Sequence, residues 1–157
     1  MKIYVDKYID SPKQRVWAAI TDIEHCTEMI SGITALTILH QPEQGLVGLK
    51  WTETRKIFGK ESSETMWITH CKDQEYYVTR AENHGAIYVT TMAVAEKDGK
   101  TLLSMEFSDS SESILVRLIS AVMGVFLKKS MCKMLNDDLE DIKKFVEQKE
   151  HAGPAQS

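Results

Sequence analysis

The fold of this chain depends on its last long segment, residues 111–149, which reads SESILVRLISAVMGVFLKKSMCKMLNDDLEDIKKFVEQK. Apolar residues recur there every three or four positions, which is the spacing that places them on one face of an α-helix. A helix cannot bury such a face alone, so we expect the rest of the chain to cover it. The apolar positions are Leu115, Leu118, Ile119, Val122, Phe126, Met131, Met134, Leu135, Leu139, Ile142, Phe145 and Val146.

The first part of this segment, residues 114–127, is apolar almost all round the helix and is interrupted only by Arg117, Ser120 and Gly124. A helix on a domain surface normally has a polar face. Three interpretations are open: a break near Gly124 with a more buried first helix, a homodimer contact, or a cavity mouth that touches a membrane surface. The first two are favoured, because a glycine inside a helix costs about 1 kcal/mol relative to alanine.

Length and composition indicate one globular domain. The chain has 157 residues, of which 43% are hydrophobic and 27% are charged, which is ordinary for a domain with its own core. We predict a single domain over residues 1–149 and a disordered tail over residues 150–157. The formal net charge of -4, without a basic run, argues against a nucleic-acid partner.

Targeting and cysteine patterns favour the cytoplasm. The chain runs from Met1 straight into an alternating strand pattern, so no signal peptide is expected. No apolar run reaches the roughly 18–20 residues of a membrane span, which argues against stable membrane insertion. Cys26, Cys71 and Cys132 are odd in number and far apart, so we expect free thiols rather than disulfides or a zinc site.

Upstream of the helix, the sequence predicts a strand, two short helices and six further strands. Alternating apolar and polar residues mark the strands, and Asp98-Gly99 is a strong signal for a hairpin turn. Short connections between strands predict an antiparallel sheet. The fold class is therefore α+β, with a curved antiparallel sheet of about seven strands wrapped around the long C-terminal helix. The predicted strands are 2–9, 33–41, 47–58, 60–71, 75–83, 86–96 and 101–108.

Several motifs resemble the helix-grip superfamily, which includes START-like lipid carriers, Bet v 1-like plant proteins and bacterial polyketide cyclase/dehydrase-like (SRPBCC) proteins. Ile9-Asp10-Ser11-Pro12 followed by Arg15-Val16-Trp17-Ala18-Ala19-Ile20-Thr21-Asp22 resembles the opening of that fold. The stretches 48–55, 59–61 and 64–66 are similar to the bacterial branch. The resemblance covers residues 2–148 and implies a hollow between sheet and helix that holds an apolar or amphipathic small molecule, without a cofactor.

Strand alternation assigns the faces that point into this hollow. On strand 47–58, the more apolar face contains Leu49 and Trp51, and it brings Glu53 and Arg55 with it because a strand cannot change faces without a bulge. The two faces of strand 75–83 are balanced, so its inner face is open. The predicted ligand-binding residues are Leu49, Trp51, Glu53, Arg55, Glu64, Met66, Ile68, Tyr88, Thr90, Met92, Leu103, Met105, Leu118, Val122 and Phe126.

Three charged residues, Glu53, Arg55 and Glu64, fall on predicted inner faces. Buried charges are costly unless they are paired, and an arginine suits carboxylates. One interpretation is a polar anchor for a ligand at the end of an apolar pocket. The favoured alternative is a largely solvated ion-pair cluster that ties the hairpin at Phe58-Gly59.

Three functions compete on these residues. A non-enzymatic carrier or sensor of a hydrophobic molecule is favoured over a cyclase or dehydratase, in which Glu53 or Glu64 would act as acid or base and Arg55 would stabilise an enolate. The third is a protein-interaction module that uses residues 114–127. His84, in a turn, is a further weak catalytic candidate, and the histidines show no spacing typical of a metal site.

Overall fold

A computed structural model describes residues 1–111 and 114–151, and the side chains of residues 1–110 and 124–149. The strands are β1 (Lys2–Ile9), β2 (Ile33–His40), β3 (Lys50–Ile57), β4 (Lys60–Lys72), β5 (Tyr76–Asn83), β6 (Ala86–Lys97) and β7 (Lys100–Ser111). The helices are α1 (Lys13–Thr21), a 3₁₀ helix (Ile23–Glu28) and α2 (Ile114–His151). The described strands form one antiparallel sheet of seven in the order β1-β7-β6-β5-β4-β3-β2, which confirms the predicted helix-grip fold.

Two-residue turns set the register of the three longest hairpins. The turns are Phe58-Gly59, His84-Gly85 and Asp98-Gly99, and both residues of each turn have positive φ. Turns of this kind match the right-handed twist of paired strands. Glycine at the second position adopts this conformation without a steric cost, which explains why each hairpin turns at that point.

Two strand boundaries differ from the sequence prediction by three residues, and the others differ by at most one. The strand predicted over residues 47–58 begins only at Lys50, because Gly48 has a φ of 93° and the Leu49 amide closes a turn onto the Leu46 carbonyl. The last strand continues three residues beyond its predicted end, since β6 is long enough to pair with it as far as Ser111. Alternation alone does not show where pairing stops.

Helix α2 is continuous over 38 residues, so the break considered near Gly124 is absent from its described backbone. The side chains of Leu118 and Val122, both predicted ligand contacts, lie outside the described residues. The predicted tail overlaps the helix, which ends at His151, and residues 152–157 lie outside the described residues.

The core is closely packed around the second half of α2. Leu135, Leu139, Ile142 and Val146 are each at most 4% exposed, and α2 contacts α1, β1 and β7. Their spacing of four, three and four places them on one helical face. The buried hydrogen bond from Tyr77 Oη to the Ile20 carbonyl (3.0 Å) ties the sheet to α1.

Polar contacts at this end fix α2 against the chain start. The Lys143 ammonium donates to the Tyr8 carbonyl at 2.9 Å, and the Asp10 amide donates to Glu147 at 2.9 Å. Asp141 accepts hydrogen bonds from both the amide and the hydroxyl of Ser31. These bonds hold the end of β1 and the start of β2 on the same helix.

Candidate functional site

An open cavity of about 1170 Å³ lies between the inner face of the sheet and α2. Its walls come from β3 to β7 and from the part of α2 that runs from Gly124 to Ile142. Most of its lining is apolar, with a few charged side chains. A concave apolar site with a few placed polar groups is typical of small-molecule binding.

Nine of the predicted ligand-binding residues line this cavity. Their alternate positions along β3, β4, β6 and β7 place them on the concave face of the sheet, because successive side chains point to opposite faces. They are Trp51, Glu53, Arg55, Glu64, Met66, Tyr88, Thr90, Met92 and Met105.

Three predicted residues, Leu49, Ile68 and Leu103, lie in the packed core and not on the cavity wall. Each is at most 3% exposed and lies two positions along the chain from a residue that does line the cavity. Alternation assigned them to the correct face. It carries no information about where, along that face, the space between sheet and helix is filled.

Phe126, a fourth predicted contact, lies on the outer surface and does not line the cavity. It is 66% exposed, and its ring stacks on that of Phe58 with a centroid distance of 6.3 Å. The pair joins the β3–β4 turn to α2. The helical spacing that suggested an inward position does not determine which way the helix is rotated at this end.

Several lining residues were not predicted. On β5, Tyr77, Thr79 and Ala81 face the cavity, which resolves the strand whose two faces were balanced in sequence. The 3₁₀ helix contributes Ile23 and Cys26 to the wall. Burial raises the pKa of the Cys26 thiol to about 12, so this thiol stays protonated at neutral pH and is a poor nucleophile.

A charged cluster joins β3 to α2 beside the cavity. The Arg55 guanidinium donates through Nε to Glu53 Oε1 at 2.5 Å. Its two terminal nitrogens bind Asp138 Oδ1 at 3.1 Å and Oδ2 at 2.8 Å. A two-pronged arginine–carboxylate pair is stronger and more directional than a single contact. The cluster therefore orders the guanidinium and fixes the distance between sheet and helix.

This cluster differs from the favoured sequence interpretation, a largely solvated ion pair at the Phe58-Gly59 hairpin. The side chains of Glu53, Arg55 and Asp138 are 10%, 17% and 5% exposed, respectively. The third member comes from α2, 83 residues away in sequence from Arg55. The cluster consequently links two layers of the domain and does not act within one hairpin.

Asp138 was not among the predicted residues, although the sequence contains a signal for it. It lies three residues after Leu135 and four before Ile142, which places it on the buried stripe of α2. A carboxylate on an apolar helical face needs a buried partner. The inward-facing Arg55 was the candidate for that partner.

Burial and ion pairing shift the pKa values of the cluster in opposite directions. Burial raises the pKa of Asp138, and the Arg55 contact offsets only part of that rise. For Arg55, burial lowers the pKa, but the carboxylates of Glu53 and Asp138 outweigh it and the net pKa is raised. The guanidinium therefore stays charged at every accessible pH.

Glu64 faces the same cavity from β4, directly opposite Glu53 in the β3–β4 register. Its side chain hydrogen-bonds that of Asn83. Burial and, to a lesser degree, the neighbouring Glu53 raise the pKa of Glu64, while the Asn83 hydrogen bond lowers it in part. Two carboxyl groups thus adjoin the cavity from paired strands.

Gly32 leaves room for the guanidinium. A Cβ atom at this position would lie 3.2 Å from Arg55 Nη1 and 3.6 Å from Asp138 Oδ1. Contacts at 3.2 Å are tight, so a larger side chain would displace the arginine. The chain segment before β2 therefore helps to define the geometry of the cluster.

The remaining catalytic candidate, His84, is exposed in the β5–β6 turn and does not line the cavity.

Among the residues whose positions are described, no group of three or more His, Cys, Asp or Glu side chains could hold a metal ion. Within the same part of the chain, no helix combines the length and hydropathy needed to cross a bilayer.

No protein-family model and no curated protein sequence matches this chain. Solved structures do match. The protein TTHA0849 from Thermus thermophilus aligns with a TM-score of 0.79 at 13% identity, over 98% of this chain and 100% of that one. A START superfamily protein from Mycobacterium smegmatis aligns with a TM-score of 0.77 at 13% identity, over 94% and 97% of the two chains.

The di-domain ARO/CYC StfQ from the steffimycin biosynthetic pathway aligns with a TM-score of 0.79 at 8% identity. The match covers 96% of this chain and 52% of StfQ. At such identities the likeness concerns the fold. The chain therefore has the helix-grip fold of START-like proteins, as the sequence motifs implied.

Proposed function

We propose that this protein binds a hydrophobic or amphipathic small molecule between the sheet and α2, as a carrier or a sensor. The observation that carries the proposal is the open apolar cavity of about 1170 Å³ in a domain whose other half is closely packed. Unfilled space in a core costs stability. Sites for drug-sized ligands usually have volumes of about 300–1,000 Å³, so this cavity is large enough to enclose one.

The composition of the wall supports a ligand with two unlike ends. Trp51, Met66 and Met92 offer apolar surface, and the charged cluster adjoins the same cavity. StfQ, which shares the fold, is an ARO/CYC of a biosynthetic pathway. Lipids and polyketide-like or aromatic molecules are therefore the candidate ligands.

A titration with the neutral dye Nile red tests the proposal with two matched variants. Thr90 and Thr91 are neighbours on β6, but only Thr90 lines the cavity. Thr90→Phe fills part of the cavity, so we expect dye affinity to fall at least about tenfold. Thr91→Phe adds the same ring to the outer face and should leave the affinity unchanged.

Native mass spectrometry of the purified protein complements the titration, since a carried ligand adds a discrete mass. The proposal is wrong if no apolar probe binds saturably. It is also wrong if both phenylalanine variants weaken dye binding equally, because the dye would then bind outside the cavity.

A second candidate function is proton transfer to or from a carbonyl ligand by Glu64. The specific observation is a half-buried cavity carboxyl whose pKa is raised by burial and by Glu53. A raised pKa brings a carboxyl closer to the range in which acids and bases work best at neutral pH. Arg55, the predicted oxyanion partner, is already bound by Glu53 and Asp138, so an enolate would need another donor.

Deuterium exchange at the α-carbon of 2-tetralone in heavy water tests this candidate by NMR. The carboxylate would remove the α-proton, exchange it with solvent and return a deuteron to the enolate. Glu64→Gln should abolish exchange above the solvent rate and retain Nile red binding. If wild type shows no exchange above the solvent rate, Glu64 is not an acid–base catalyst for this ketone.

A further inference from the structure

We propose that the charged end of the cavity selects ligands whose polar group donates hydrogen bonds, namely a neutral hydroxyl or a protonated amine, and rejects carboxylates. This inference rests on the proposed binding function and names the ligand class for the same cavity. It concerns the charge balance of the groups that adjoin the cavity, which the strand alternation alone did not determine.

The buried guanidinium of Arg55 is already paired with two carboxylates, so it would attract an anionic ligand only weakly. Arg55 donates to Glu53 through Nε and to both oxygens of Asp138 through its terminal nitrogens. An arginine fork binds a carboxylate best with two parallel N–H groups, and Asp138 occupies that arrangement. A ligand carboxylate would have to displace Asp138 and leave its carboxylate buried without the guanidinium, which is costly.

The carboxyl groups, in contrast, outnumber the buried cation, and the wall donor that lacks a partner among the described residues, Trp51 Nε1, is neutral. Glu53, Glu64 and Asp138 place three carboxyl groups at the cavity, against the single guanidinium of Arg55. Asn83 supplies a hydrogen bond to Glu64, but it adds no positive charge. A further carboxylate would be repelled, whereas a hydroxyl or ammonium group would donate to an oxygen that has few protein donors.

The other cationic groups on the cavity wall do not reverse this balance. Arg80 pairs with Glu82, and the Met1 amine pairs with Asp109. Lys128 also lines the cavity, but it lies in the stretch 125–129 of α2, in which every residue is exposed to solvent. A ligand carboxylate that paired with Lys128 would lie in solvent, where ion pairs contribute little to affinity.

Competition against Nile red at pH 7.5 tests the selection with four ligands of one shape: naphthalene, 2-naphthylmethanol, 2-naphthylmethylamine and 2-naphthoate. We expect the alcohol and the amine to bind at least about tenfold more tightly than the naphthoate. Equal or tighter binding of the naphthoate overturns the selection and leaves the binding function standing. If Nile red itself does not bind, the binding function fails, and the selection fails with it.

Two substitutions with the same change of charge locate the effect. Asp138→Asn frees one side of the guanidinium and removes a carboxylate, so the ratio of naphthoate to alcohol affinity should rise at least fivefold. Asp137→Asn, one residue away and exposed, should leave the ratio unchanged. An unchanged ratio in a folded Asp138→Asn protein, or an equal rise in both variants, contradicts the proposal.

If circular dichroism shows that Asp138→Asn does not fold, Glu64→Gln decides the question. This residue is only partly buried and has no ion pair among the described residues, so its replacement keeps the fold. The amide retains an acceptor oxygen and removes one negative charge. The ratio should then rise about threefold, and a ratio equal to that of wild type overturns the inference.

Discussion

The two parts of α2 contain equally apolar residues and have opposite environments. Leu139 and Ile142 are fully buried, while Val125 and Phe126 are 72% and 66% exposed. The difference lies in what faces the helix. Leu139 packs in the core, whereas Val125 and Phe126 point away from the cavity, whose wall on α2 runs from Gly124 to Ile142. The helix thus packs closely at its later part, while its earlier part has the cavity on one side and exposed apolar side chains on the other.

The charged cluster lies where these two regions meet. Asp138 lines the cavity between Leu135 and Ile142, while its neighbour Leu139 is fully buried in the core and does not line it. A buried ion pair is weak as a source of net stability but is costly to break. Its position suggests that it sets the spacing at which packing gives way to open space. Four measurements test this contrast between the packed and the hollow region.

The largest effect is expected from truncating the packed part of the helix. Leu139→Ala should lower the free energy of unfolding by about 3 kcal/mol, because the fully buried side chain leaves a void. Met131→Ala, at the cavity wall, should cost only about 1 kcal/mol, since this side chain already borders empty space. Urea denaturation of ligand-free protein measures both, and equal losses would show that the cavity is filled.

The second effect concerns the cluster. Asp138→Asn should cost about 2 kcal/mol, because it leaves the buried guanidinium with only one carboxylate partner. The matched change Asp137→Asn removes an exposed contact to Lys133 and should cost less than about 0.5 kcal/mol. Urea midpoints of the two variants give the comparison. Similar losses would mean that Arg55 is hydrated from the cavity.

The third effect depends on pH. Because the pKa of Glu64 is raised in the folded protein, the folded state binds more protons than the unfolded state above the ordinary value of 4.5. This residue therefore makes the protein less stable as pH rises through that window. Glu64→Gln should be more stable than wild type at pH 8, by less than about 1 kcal/mol because solvent screens a half-exposed carboxylate, and as stable as wild type at pH 4.

Thermal melts at both pH values measure this difference. Glu61→Gln, an exposed residue of the same strand, is the control and should show no such dependence. A Glu64→Gln protein that loses stability at pH 8 would indicate that the carboxylate is favourably paired.

The smallest effect concerns the exposed aromatic pair Phe58 and Phe126, which joins the β3–β4 turn to α2. Phe58→Ala and Phe126→Ala, alone and combined, form a double-mutant cycle for the stacked rings. A coupling energy of about 0.5 kcal/mol is expected, at the lower end for aromatic pairs because both rings are exposed. Urea denaturation of the four proteins gives the value. No coupling would show that the turn and the helix do not meet in solution.

Much of the site could be predicted from alternation along the strands. Trp51, Glu53 and Arg55 share one face because side chains on a strand alternate, and this depends only on neighbouring residues. Two features could not be obtained in this way. Leu49 lies on the same face but in packed space, and Asp138 binds Arg55 from a distant element.

The sequence by itself determined the order and type of the elements, the hairpin turns and the faces of most strands. These follow from local sterics and from the periods of about 2.0 and 3.6 residues, which are written into short stretches of chain. The tertiary structure alone decided where the sheet leaves α2 uncovered, which way Phe126 points and which carboxylates neutralise Arg55. Those outcomes depend on the curvature of seven paired strands and on contacts between residues as far apart as Arg55 and Asp138.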